Sequence, residues 1–206
     1  MKKNIKKASR GIFLSLVIML TLFLTACSDS DMITWILEEF GITVKVEMVD
    51  LTDRTKAGKW ISGDLNSTQA NQLNDNMESD YDIIISANPT TKYNCHSYAW
   101  YYRSTSNIWW INDPVEFRTN WIVSSNPASN TIPSSAQNGD IVDYYVSSNI
   151  SPHSAIVYDK TATRSFISKW GAAGLYLHKP TDTPYNDESK ENTTEQFGYY
   201  RTATYK

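Results

Sequence analysis

Apolar and polar positions alternate in different rhythms along the chain. Ile12 to Leu24 is a predominantly apolar run of 13 residues. Met32 to Phe40 has the spacing of a short amphipathic helix, and Gly41 stops it. Ile42 to Val49 alternates apolar with mostly polar residues and predicts a half-buried strand. From Ser67 to Ser79, Ala70, Leu73 and Met77 recur at spacings of three and four. That predicts a mostly exposed helix capped at Ser67. Asp82 to Ser86 is short, apolar and extended. Asn88-Pro89-Thr90-Thr91 reads as a turn, because proline fixes its own φ and pushes the preceding residue out of the helical region. His96 to Arg103 carries no Gly or Pro and predicts a helix entered at Cys95. Asp113-Pro114 predicts a second helix start, leading into Val115 to Asn120. After Gly139 the rhythm becomes β-like. Strands are predicted over 141–146, 154–159, 164–171, 174–178 and 197–205, with short connections that make successive strands antiparallel neighbours. The pattern is α+β.

Charge changes the reading of the first segment. Lys2, Lys3, Lys6, Lys7 and Arg10 precede the apolar run, which is short for a membrane span and right for a signal sequence. The run ends in Leu24-Thr25-Ala26-Cys27, which resembles the bacterial lipobox. That resemblance implies cleavage after residue 26 and a diacylglyceryl group on Cys27, with Ser28 to Asp31 as a polar tether. The expected partner is therefore the lipid bilayer, and the expected location is extracytoplasmic, anchored to the bacterial cell membrane. Removing residues 1–26 leaves 180 residues, enough for one domain with its own core. These carry 14 Lys and Arg against 22 Asp and Glu. So acidic a chain is not expected to bind nucleic acid, which demands phosphate neutralisation.

With Cys27 acylated, Cys95 has no intramolecular partner for a disulfide. An exported protein with one unpaired thiol has two explanations: an inert core cysteine, or a nucleophile with a histidine brought alongside. A cysteine entering a helix feels the positive end of the dipole, which favours thiolate. Of the three histidines, His96 follows Cys95 directly and points about 100° away on a helix, so it is badly placed to serve as its base. His153 opens a strand after Pro152, and His178 ends another. Three scattered histidines and one cysteine lack metal-ligand spacing, and no phosphate-cradling glycine loop is present, so no metal or cofactor is expected.

Asn94-Cys95-His96-Ser97-Tyr98-Ala99, Gly139-Asp140-Ile141-Val142 and His153-Ser154-Ala155-Ile156-Val157, in that order, resemble the papain-like cell-wall hydrolases of the NlpC and CHAP types. The resemblance covers roughly residues 88–178. It implies a nucleophile helix packed on a small antiparallel sheet, with Cys95 as nucleophile and His153 as general base. The family's third, imidazole-orienting position falls on the strand holding Ser168 and Lys169. Ser168 is the candidate, with His178 or a backbone carbonyl as substitutes. The chain departs from the family pattern at Asn94, where Asp is frequent, and at His96, where a small residue is usual.

The implied reaction is hydrolysis of a peptide or amide bond, with cell-wall peptides as the suggested substrate. Cys95 would attack the carbonyl and His153 would pass the thiol proton to the leaving amine. Tyr93, Trp109 and Trp110 are candidate substrate-binding residues, and each reads equally as a packed aromatic. The expected organisation is a signal peptide (1–26), a lipidated tether (27–31), an N-terminal accessory region (32–88) and a papain-like domain (89–206). The competing reading is a lipid-anchored binding module on the same fold, with Cys95 as packing and the tryptophan-rich segment from Trp109 to Trp121 as the recognition surface.

Overall fold

The computed structural model describes residues 44–51, 54–61, 63–112, 122–146, 151–186 and 194–201. The lipobox with Cys27, the helix expected over 32–40 and the Asp113-Pro114 helix start lie outside them. Ten strands and two helices follow in order. They are β1 (Val44–Leu51), β2 (Arg54–Ile61), α1 (Ser67–Asp80), β3 (Ile84–Ala87), α2 (Cys95–Trp100), β4 (Trp109–Trp110), β5 (Ile122–Pro127), β6 (Ile141–Tyr145), β7 (His153–Val157), β8 (Phe166–Lys169), β9 (Leu175–His178) and β10 (Gln196–Tyr200). The fold is a mixture of helix and antiparallel sheet, dominated by sheet.

The larger sheet runs β3-β9-β8-β7-β6-β10-β5, and every pairing in it is antiparallel. Strands β6 to β9 form the expected meander of neighbours. The smaller sheet, β1-β2-β4, adds a hairpin whose second strand the sequence pattern did not reveal. Arg54–Ile61 carries Gly58 and three cations in eight residues, so its alternation is masked. Strand β3 pairs with β9, and Met77 of α1 enters the same core as Tyr176. From residue 67 onward the expected accessory region and the expected domain therefore share one sheet.

That sheet is covered on both faces. Val142, Tyr144, Ala155, Val157, Phe166, Tyr176, Phe197 and Tyr199 pack on the α1 side. Ile141, Ile156, Leu175 and Tyr200 pack on the α2 side, against Tyr98, Ala99 and Trp100. Period-2 alternation explains the division, since each strand sends successive side chains to opposite faces. Double coverage also explains why β7 is buried at all five positions instead of alternating buried and exposed.

Two devices fix neighbouring strands of the sheet. Asp140 accepts a bidentate pair from Arg201 (2.7 and 2.8 Å) and the Gln137 amide, which latches the end of β10 to the start of β6. Gly139 precedes it at φ +93°, a conformation that favours glycine. At the β3 edge, Gly174 lets β3 approach β9. A Cβ there would lie 2.7 Å from the Ala87 carbonyl oxygen and from the Tyr176 ring. Backbone cannot rotate away, so Gly174→Ala is expected to cost about 2 kcal/mol, read as a lower denaturant midpoint at unchanged m-value.

Candidate functional site

The turn before α2 is fastened before the helix begins. Lys169, fully buried at the end of β8, donates from Nζ to the carbonyls of Thr90 (2.9 Å), Gly171 (2.5 Å) and Ala173 (2.6 Å). Its ammonium also lies 5.1 Å from the centroid of the Tyr93 ring. The Thr90 amide donates to Ala172 O, and Trp110 Nε1 donates to Thr91 O. Lys169 thus ties the approach to Cys95 to the β8–β9 connection.

Asn94 caps α2. Its Oδ1 accepts from the Ser97 amide (3.0 Å) and the Ile111 amide (3.2 Å), while its Nδ2 donates to Ile111 O (2.8 Å). Capping satisfies one of the helix's orphan donors, and the paired bonds to Ile111 dock the end of β4 onto the helix start. Asp could not fill this role, because a carboxylate has no donor for the Ile111 carbonyl. Asn94→Asp is expected to lower stability by about 1–3 kcal/mol, because two acceptors would then face each other in the interior. Thermal unfolding against wild type measures this.

Cys95 is the first residue of α2 and is wholly buried. The helix runs only to Trp100, shorter than the expected stretch to Arg103, so its dipole is weak. It packs on β7, β8 and β4. His96 and Trp100, one turn apart, both reach Ser154 on β7: His96 Nδ1 at 2.8 Å and Trp100 Nε1 at 2.9 Å. Ser154 Oγ lies 3.0 Å from Asp143 Oδ1 on β6, to which the Ser151 hydroxyl also donates.

His153 is placed differently from the expectation. Ser154 faces α2, so its neighbour His153 faces the other way. The His153 ring stacks on Tyr185 with centroids 4.0 Å apart and meets the edge of Tyr144, its cross-strand partner, at 4.8 Å. Tyr144 belongs to the core on the α1 side. The structure therefore does not bring Cys95 and His153 together on one face. Both ring nitrogens of His153 are buried without a hydrogen-bond partner among the described residues. Burial, then His178, then His96, holds its pKa well below the usual imidazole range.

Ser168 orients His178 rather than His153. Trp170 Nε1 donates to Ser168 Oγ at 2.9 Å, and Ser168 Oγ lies 2.7 Å from His178 Nε2. His178 Nδ1 lies 2.7 Å from Lys179 O, which accepts only, so Nδ1 carries the proton and Nε2 accepts from Ser168. Tyr93 is buried, ring-stacked on Tyr98, and its hydroxyl has no hydrogen-bond partner among the described residues; burial raises its pKa. Trp110 is buried at the edge of the smaller sheet and Trp109 is half-buried, so both cover structure as placed. The residues that sequence reasoning passed over are Asp143 and Ser154. Ser154 stands one position after His153 in the quoted strand, and Asp143 stands one position past the quoted Gly139 to Val142.

The chain matches no family model, no curated protein and no solved structure. No helix among the described residues is long and apolar enough to cross a membrane.

The buried imidazoles make stability depend on pH. Burial lowers His178 from 6.5 to about 4. Between those values the unfolded chain binds more protons, so the free energy of unfolding rises with pH. The stabilisation is complete above about 6.5 and is lost as pH falls through about 4. For His178 alone it amounts to about 3 kcal/mol, and His153 acts in the same direction. Urea unfolding from pH 4 to 7 is expected to show this slope, and His178→Gln to flatten it.

Proposed function

We propose that the protein is a membrane-anchored, extracytoplasmic cysteine hydrolase of papain-like type. It would cleave peptide or amide bonds, with cell-wall peptides as the substrate class. The observation that carries this reading is the placement of Cys95, first residue of a helix packed on an antiparallel meander; on the lipobox reading it would be the one unacylated thiol of an exported chain. The ordered motifs around Cys95, Gly139-Asp140 and His153 support it, as does the lipobox at Cys27.

The chemistry is acyl transfer. The sulfur adds to the amide carbonyl, the C–N bond breaks as the amine leaves with a proton from an imidazole, and water then releases the acid and restores the thiol. The position of His153 means that the thiol's imidazole is not settled by the motif.

A second reading is favoured by specific observations. Cys95 has no exposed surface and His153 faces away from α2, as in a lipid-anchored binding module on this fold. Two experiments separate the readings. Incubating the full chain in detergent with cell-wall peptides should release new amino termini, and Cys95→Ala should abolish the release. Equal release by the variant, or none by wild type with Cys95 inert to alkylation, would leave the binding module. Feeding expressing cells a palmitate analogue should label the wild type and not Cys27→Ser. Labelling that survives the substitution would remove the anchor.

A further inference from the structure

His153 has no exposed surface, and neither of its ring nitrogens has a hydrogen-bond partner among the described residues. An imidazole carries at least one N–H, so the enclosure leaves a donor unmet, at a free-energy cost that water would relieve. Tyr185 covers one face of the ring, stacked 4.0 Å away and 5° from parallel. Tyr185 belongs to a strap, residues 179–186, that leaves the sheet at the end of β9 and joins no strand. Pro180, Thr183, Pro184 and Tyr185 are buried, while Lys179, Thr181, Asp182 and Asn186 are partly exposed, so the strap is a surface layer with a buried underside. Its own backbone bonds are turns: the Asp182 amide donates to Lys179 O and the Asn186 amide to Thr183 O. Side chains fasten it to the body. The Tyr144 hydroxyl donates to Pro180 O (2.9 Å) and the Thr181 hydroxyl to Asn130 (3.0 Å). Asp182 accepts from the Asp82 amide (3.1 Å), and Lys179 Nζ lies 2.8 Å from the Asp82 carboxylate. A segment held by turns and side chains opens at lower cost than strands held by a ladder.

We propose that residues 179–186 are an acid-released strap: protonation of His153 lifts Tyr185 off the imidazole and opens the strap while the seven-stranded sheet stays folded. Opening uncovers an aromatic surface of Tyr144, His153 and Tyr185. The inference goes beyond the hydrolase reading and does not depend on Cys95. An imidazolium has two N–H donors that need acceptors or water, and the closed strap gives His153 neither. Burial opposes its charge first, and His178 and His96 oppose it by like sign. The titratable groups packed around it supply no counter-charge. Tyr144 of β6 and Tyr199 of β10 are phenols that burial keeps neutral, and Tyr185 of the strap is a third phenol. His178 of β9 is engaged with Ser168 and Lys179 O, and Glu78 of α1 bears on Tyr176. At the rim, Asp82 pairs with Arg164 and Lys179, and Asp182 holds the Asp82 amide. Hydrogen bonds from Lys179 and Arg164 hold Asp82 below the usual carboxylate range, so that fastening keeps its charge while His153 titrates. An exposed imidazole titrates near 6.5 and the enclosed one well below it, so between those values opening takes up one proton. The open fraction therefore rises by up to about tenfold per pH unit as pH falls below that value.

The test is amide hydrogen exchange of the full chain in detergent, followed by NMR at about pH 7, 6 and 5 and divided by the intrinsic rate at each pH. Protection of the Tyr185 and Asn186 amides should fall about tenfold from pH 6 to pH 5, while amides of β6 and β7 stay far better protected. His153→Phe keeps a ring against Tyr185 without a titrating group. Its strap protection should agree within about twofold between pH 6 and pH 5. His178→Gln should keep the wild-type slope, because the strap opens without releasing His178. Tyr144→Phe removes the bond to Pro180 O and should lower strap protection about fivefold at every pH with the slope unchanged, which marks Tyr144 as the latch and not the trigger. Circular dichroism checks that each variant folds, and the wild-type comparison of strap with sheet decides the question if none does. Strap amides that lose protection only together with the sheet overturn the strap. A slope that survives His153→Phe, or that vanishes in His178→Gln, overturns His153 as its trigger.

Discussion

One hydroxyl group docks α2. α2 has six residues, too few to persist by its own hydrogen bonds. It survives because Trp100 and His96 converge on Ser154, and Ser154 is held by the Asp143 carboxylate on the next strand. Remove that oxygen and two ring nitrogens lose their partner inside a face that excludes water. The remaining fastenings work around this point. Asn94 sets the helix start against Ile111, and Lys169 ties the preceding turn to three carbonyls. The packing of Tyr98, Ala99 and Trp100 on Ile141, Ile156 and Tyr200 supplies apolar burial.

The sheet separates two groups of chemical side chains. The α2 face holds Cys95, His96, Ser154, Asp143 and Lys169. The α1 face holds His153, His178, Ser168, Tyr144 and Tyr185. The second group is built for neutrality. Ser168 and the Lys179 carbonyl fix His178, and aromatic rings enclose His153. An imidazole enclosed in that way resists protonation, which is the wrong property for a base that must leave a thiolate behind. The first group places a buried carboxyl within one hydroxyl of an imidazole.

Much of this was legible in the residues. The helix expected over 67–79, the helix start at Cys95 and the meander from β6 to β9 followed from periodicity and turn chemistry, although the first helix is capped by Asn66 and not by Ser67. The orientation of His153 did not. Parity along a strand is read from alternation of apolar and polar residues, and His153 to Val157 is buried on both faces, so there was none to read. Strand β5 was missed because Ile122–Pro127 is mostly polar and sits at the sheet's edge, where burial does not select apolar residues. The role of Lys169 was also hidden, since a buried ammonium held by backbone carbonyls leaves no partner in the sequence pattern.

The central claim is that Cys95 and His153 lie on opposite faces of the sheet. Proton–proton contacts of the His153 ring, from a NOESY spectrum of the folded chain, test it most directly. The account predicts cross-peaks from the ring protons of His153 to those of Tyr185 and Tyr144, and none to the β protons of Cys95. Cross-peaks between His153 and Cys95, with those to Tyr185 missing, would contradict it and restore the pair that the sequence motif implies.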